Sequence, residues 1–191
     1  TEKVPRYNAT CVSCQADPRC VGSFAFVWGW KWEKTGTWYG MFNEWPAVTE
    51  NVSVSCSGCE SQTVSVVQEC WTGGRRKNSA PSLLAVDVDG RRLPGMRFSV
   101  ETDRMVPLHV VTSHPQGHAL TALWAITEEI VSNAVGGAYE DTNPLLSGLW
   151  SGSADDTAAG LDVVLNTSSL PVGQKYRLYV FVREDPEKVA P

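Results

Sequence analysis

Nowhere does an apolar run approach the roughly 18 residues that a membrane-crossing helix needs. There is no His-Glu-x-x-His pair, no Gly-x-Ser-x-Gly elbow and no phosphate-cradling glycine loop. Those absences remove the commonest sequence routes to metalloprotease, hydrolase and nucleotide chemistry. The reading is a non-enzyme with no cofactor and no metal. Basic charge is short: 16 Lys and Arg stand against 21 Asp and Glu, a net charge of −5. Nucleic-acid binders usually present a basic face, so none is expected as a partner. Cysteine is absent from residues 81–191, and only two of the eight tryptophans lie in that stretch. No Met and no signal-peptide pattern opens the chain. A processed chain or a fragment is expected, joined to a membrane only through other parts of a parent chain.

What is present points outward from the cell. All six cysteines, an even number, fall in the first 70 residues. Three sequons occur, at Asn8, Asn51 and Asn166, whereas Asn143 is followed by Pro144 and does not qualify. Paired thiols and glycan acceptors together favour the secretory pathway and an extracellular or cell-surface location. The 191 residues allow one large domain or two small ones. A Gly-Gly-Arg-Arg-Lys stretch at 73–77, closed by Pro81, reads as a linker between them. Arg75, Arg76 and Lys77 are then a solvated basic knot. The expected division is a Cys- and Trp-rich β module over 1–75 and an antiparallel β-sandwich over 82–186.

The second part reads as short strands. Leu83 to Val88 ends at the turn pair Asp89-Gly90. Val106 to Thr112 and Leu120 to Ile126 flank a Pro115-Gln116-Gly117 turn. Leu161 to Leu165 alternates weakly. Tyr176 to Val182 alternates well, with Tyr176, Leu178, Val180 and Val182 on one face. The one helical stretch expected is Thr127 to Val135. Leu170-Pro171-Val172-Gly173-Gln174-Lys175-Tyr176 has the form of a tyrosine corner, in which the phenol caps backbone carbonyls between two late strands. Gly173 supplies the turn, Tyr176 the cap, and Trp124 the core of the third strand.

The runs Val106 to Gly117 and Leu120 to Trp124, with the ending Leu170 to Val182, resemble the strands of PKD and fibronectin-type-III repeats. The resemblance implies an all-β, Ig-like antiparallel sandwich. Cys11-Val12-Ser13-Cys14, an aromatic strand through Trp28 and Trp30, and Cys56-Ser57-Gly58-Cys59 resemble the receptor-for-egg-jelly region of polycystin-like proteins. That likeness implies an extracellular structural or adhesive protein. Its partners are other extracellular domains or copies of itself.

Several residues carry a sharper reading beside a plainer one. Cys11, Cys14, Cys20, Cys56, Cys59 and Cys70 form two triplets, each opening Cys-x2-Cys. Two knuckles could hold zinc, but their gap is long and two thiols are left over. Disulfides use all six, and their 15 connectivities stay open. Trp28, Trp30 and Trp38 could form a platform that stacks on sugar rings, giving a glycan-binding module. As a core layer they would supply apolar area that a disulfide-rich module needs. His109, His114 and His118 read as solvated turn histidines, because no helix fixes them as ligands. Asp87-Val88-Asp89-Gly90 opens like a calcium loop but lacks later ligands, and a hairpin turn explains it better. The acidic pairs Glu140-Asp141 and Asp155-Asp156 add no defined calcium site.

Overall fold

A computed structural model describes residues 3–25, 30–33, 37–41, 60–74, 79–93, 97–129, 143–152 and 155–185. The region expected as a β module opens with a helix. Helix α1 (Lys3–Ala16) is followed by a hairpin of β1 (Trp30–Glu33) and β2 (Thr37–Gly40), and then by α2 (Gln62–Thr72). The all-β expectation is therefore corrected for this part. Tyr7, Cys11 and Cys14 follow at i, i+4 and i+7, which sets them along one side of α1. Helix α2 is rich in β-branched Thr63, Val64, Val66 and Val67, which favour strands. Its ends decide the matter. The Ser61 hydroxyl caps the start by accepting the Thr63 amide, and Gly73 closes the end in the left-handed region at φ 67°. Ser61 is also anchored to the Met41 carbonyl, through its amide at 3.0 Å and its hydroxyl at 2.6 Å. Met41, Val64 and Val67 are buried together, with Tyr7 and Ala25 packed against them.

Seven further strands follow: β3 (Ser82–Val88), β4 (Arg91–Arg92), β5 (Met105–Ser113), β6 (Leu120–Glu128), β7 (Thr157–Ala159), β8 (Asp162–Asn166) and β9 (Tyr176–Glu184). They form two antiparallel sheets, ordered β4-β3-β5-β8 and β7-β6-β9. Asp89 and Gly90, both at positive φ, make the tight turn from β3 to β4. The stretch expected to be helical begins as strand: Thr127 and Glu128 are the last residues of β6. Residues 130–135 lie outside the described part.

The sheets share a core. Val106, Leu108 and Val110 of β5 alternate inward and meet Ala122, Trp124 and Ile126 of β6. Leu178, Val180 and Val182 of β9 pack on the same cluster, as their alternation requires. Trp124 is fully buried, and its indole N–H donates to the Gly160 carbonyl at 2.8 Å. Gly160 stands where the chain leaves β7 in one sheet for β8 in the other. It adopts φ 128°, and a Cβ there would meet the Asp162 carbonyl oxygen at 3.3 Å. A second crossing lies at 143–152. Leu145 bridges to Thr127 of one sheet, and Trp150 bridges to Leu165 of the other. Leu149 and Trp150 enter the core there. This buried core and the Met41 cluster are separate.

Candidate functional site

Two disulfides shape the helical pair. Cys11 of α1 is joined to Cys70 of α2, with Cα atoms 6.1 Å apart. Cys14 is joined to Cys20 just beyond α1, at 5.2 Å. The first Cys-x2-Cys pair is thus divided between two bridges and makes no zinc knuckle. Cys56 and Cys59 lie outside the described residues. The Gln15 side chain adds a hydrogen bond to the Cys70 carbonyl at 2.9 Å.

The stapled pair and the chain that follows α1 expose apolar side chains. Val12, Val21, Phe24 and Trp71 are all on the surface, and Phe24 is 91% exposed. Phe24 and Trp71 border one shallow depression with Tyr7, Val67 and the Cys11–Cys70 bridge. It has room for about one water molecule. A site for a small organic ligand needs a cleft of several hundred Å³, far more than this depression offers.

The predicted glycan acceptors are placed as follows. Asn8 is exposed on α1. Asn166 is half-buried at the end of β8, and its side-chain oxygen accepts the Ser168 amide at 3.0 Å. Asn51 lies outside the described residues. Among the tryptophans, Trp30 lies in β1 and pairs with Gly40, and Trp38 in β2 pairs with Trp32. Trp28 lies outside the described residues.

A row of charge crosses the outer face of the four-stranded sheet. Arg92, Asp87, His109 and Asp162 stand side by side on β4, β3, β5 and β8 by strand register. Arg92 Nε donates to Asp87 at 3.0 Å, and His109 Nδ1 meets Asp162 at 2.7 Å. The Arg92 hydrogen bond holds the Asp87 carboxyl below its usual range, against the opposing effect of desolvation. On β9, burial works to lower the Arg177 pKa, and hydrogen bonds to Glu129 and Tyr179 more than offset it, leaving it raised.

One of the three histidines departs from the solvated reading, while His118 in the turn and His109 on β5 keep 38% and 44% exposure. His114 is not solvated: its side chain is 1% exposed. Its Nε2 lies 3.1 Å from Glu184 Oε1, and His118 Nδ1 lies 3.3 Å from Glu184 Oε2. The two rings stack with centroids 4.5 Å apart. Glu184 ends β9, 70 residues from His114 in sequence. Strand pairing alone brings it there, through its register with Leu120.

Tyr176 also departs from expectation. It opens β9 and packs against the core, and Gly173 takes the positive φ of 80° that the turn requires. The hydroxyl, however, is buried with no hydrogen-bond partner among the described residues and does not bond the carbonyls of Leu170 to Val172. Register explains the difference: Tyr176 pairs with Glu128, and the Lys175 carbonyl accepts the Glu129 amide at 2.9 Å, which ties the residue toward β6. Burial, with the Glu128 charge nearby, raises the phenol's pKa. No protein-family model matches the chain, and no curated protein is significantly similar to it in sequence.

Proposed function

We propose that the chain is an extracellular structural or adhesive module of a cell-surface or secreted glycoprotein. It works by protein–protein contact through its stapled helical pair. The carrying observation is the exposed pair Phe24 and Trp71, which border one depression beside the Cys11–Cys70 bridge, on a scaffold that two disulfides brace. A small buried cluster gains most from such bridges, and large aromatic side chains exposed side by side suit an interaction surface. Disulfides also suit an oxidising compartment, and no described helix is long and apolar enough to cross a membrane.

Strand order supports an Ig-like reading of the second part. The first, second and fourth long strands (β3, β5 and β8) lie in one sheet. The third and last (β6 and β9) pair in the other, with short β7 beside β6. A buried tryptophan on the third strand and a tyrosine opening a late one fit that plan. The rival reading is glycan binding through Trp28, Trp30 and Trp38.

The test is sedimentation velocity on the oxidised, glycosylated chain, with copies of itself as the first partner. The reading expects association that rises with concentration and is lost in the double variant Phe24→Ser, Trp71→Ser. A monomer at every concentration, unchanged by those substitutions, argues against contact through this surface. Retention on immobilised oligosaccharide, lost on Trp38→Ala, would favour the rival.

A further inference from the structure

We propose that His114, His118 and Glu184 bind one divalent transition-metal ion of the zinc class. One ligand atom from each, two imidazole nitrogens and a carboxylate oxygen, falls within 4.8 Å of the others. Two nitrogens and one oxygen suit zinc and its neighbours. Calcium and magnesium prefer oxygen throughout. The frame is fixed from both sides. His114 directly follows β5, and the turn that carries His118 leads into β6. Glu184 is pinned beside that turn by its pairing with Leu120 and by the Asp185 amide, which donates to the Ala119 carbonyl at 2.9 Å. His114 is the buried leg of the tripod. His118 and Glu184 are 38% and 26% exposed, which leaves a solvent side for a water ligand.

Loading has a defined cost. His114 Nδ1 accepts the amides of Gln116 at 3.2 Å and His118 at 3.4 Å, which holds the neutral ring's proton on Nε2. An ion bound at Nε2 moves that proton to Nδ1 and releases both amides. The rings, now stacked, must also tilt so that both nitrogens lie about 2.0–2.1 Å from the ion. Both hydrogen bonds are long, and Gly117 at φ 75° lies between their donors, so the turn can adjust. Binding is therefore weaker than at a preformed site, and it unstacks the pair.

The experiment is calorimetric titration of the chelator-stripped, oxidised chain with zinc sulfate. Any free thiol is alkylated first. His118→Ala, Glu184→Gln and, as a control, His109→Ala are run in parallel. The expected result is one zinc per chain, a higher thermal midpoint with zinc, and shifted ring resonances of His114 and His118. His118→Ala and Glu184→Gln should each weaken binding tenfold or more, with His109→Ala unchanged. Both altered positions are partly exposed, so the fold should persist, and circular dichroism checks this. No binding up to millimolar zinc overturns the proposal and leaves a hydrogen-bonded His–Glu–His contact alone. Binding that survives both substitutions overturns it equally.

Discussion

Tyr176 and Trp124 are both large aromatics against one core, yet their polar ends differ. The Trp124 N–H has a carbonyl at 2.8 Å, whereas the Tyr176 hydroxyl has no described partner. Removing an unsatisfied buried hydroxyl loses no hydrogen bond. Tyr176→Phe is therefore expected to leave stability within about 0.5 kcal/mol of wild type, or to raise it. Tyr176→Ala, which removes a partly buried ring, should cost about 2–3 kcal/mol, short of a full core truncation. Urea unfolding of the whole chain, followed by tryptophan fluorescence, measures both. A loss above about 1 kcal/mol in the Phe variant would show that the hydroxyl is bonded after all. Trp124→Phe keeps an aromatic but strands the Gly160 carbonyl and leaves space, so a loss of about 2–3 kcal/mol is expected.

Among the elements, the two disulfides close loops of very different length. Cys11 and Cys70 are 59 residues apart, and Cys14 and Cys20 only 6. Chain entropy alone gives about 4 kcal/mol for the first and about 2 for the second. Replacing Cys11 and Cys70 by Ser should therefore lower the melting of the helical pair about twice as much as replacing Cys14 and Cys20, as followed by the helical circular dichroism signal. Equal losses would show that local packing outweighs loop closure.

The charge row across β4, β3, β5 and β8 makes an acid-side prediction. Asp87 is held below its ordinary value by Arg92 in the folded state. Its contribution is present above the unfolded carboxylate range, about pH 4, and fades as pH falls through the lowered folded value. Asp87→Asn should flatten the fall in thermal midpoint between about pH 5 and pH 2 and leave it alone near pH 7 to 8 relative to its own plateau. An unchanged acid slope would remove Asp87 from the account.

The strands were legible because their signals are local. Alternation in Tyr176–Glu184, the Asp89-Gly90 turn and the inward valines of β5 are all read within a few residues. The helices were harder. Thr63, Val64, Val66 and Val67 suggest a strand, and only Ser61 and Gly73, with buried positions at 63, 64 and 67, give the helix away. Cys11 and Cys14 left a zinc knuckle open beside disulfides because a spacing of three serves a metal loop and a helix face alike. The His–Glu–His group lay beyond any local pattern, because Glu184 reaches the histidines only through strand register.

Across the whole molecule, the disulfide-braced cluster around Met41 and the cysteine-free sandwich core are separate buried clusters. Residues 79–191 alone are expected to unfold cooperatively, with a midpoint that reductant does not move. A reductant-sensitive or non-cooperative transition would show that the sandwich depends on the helical pair. The central claim, that this is an oxidised, glycosylated extracellular protein, is tested most directly by intact mass of the chain from its native source, with and without reductant and glycosidase. The account predicts no free thiol, a gain of about 6 Da on reduction as each of the six cysteines gains a hydrogen atom from the reductant, and a loss of glycan mass from at least two of Asn8, Asn51 and Asn166. Four or more free thiols, with a mass that glycosidase leaves unchanged, would contradict it.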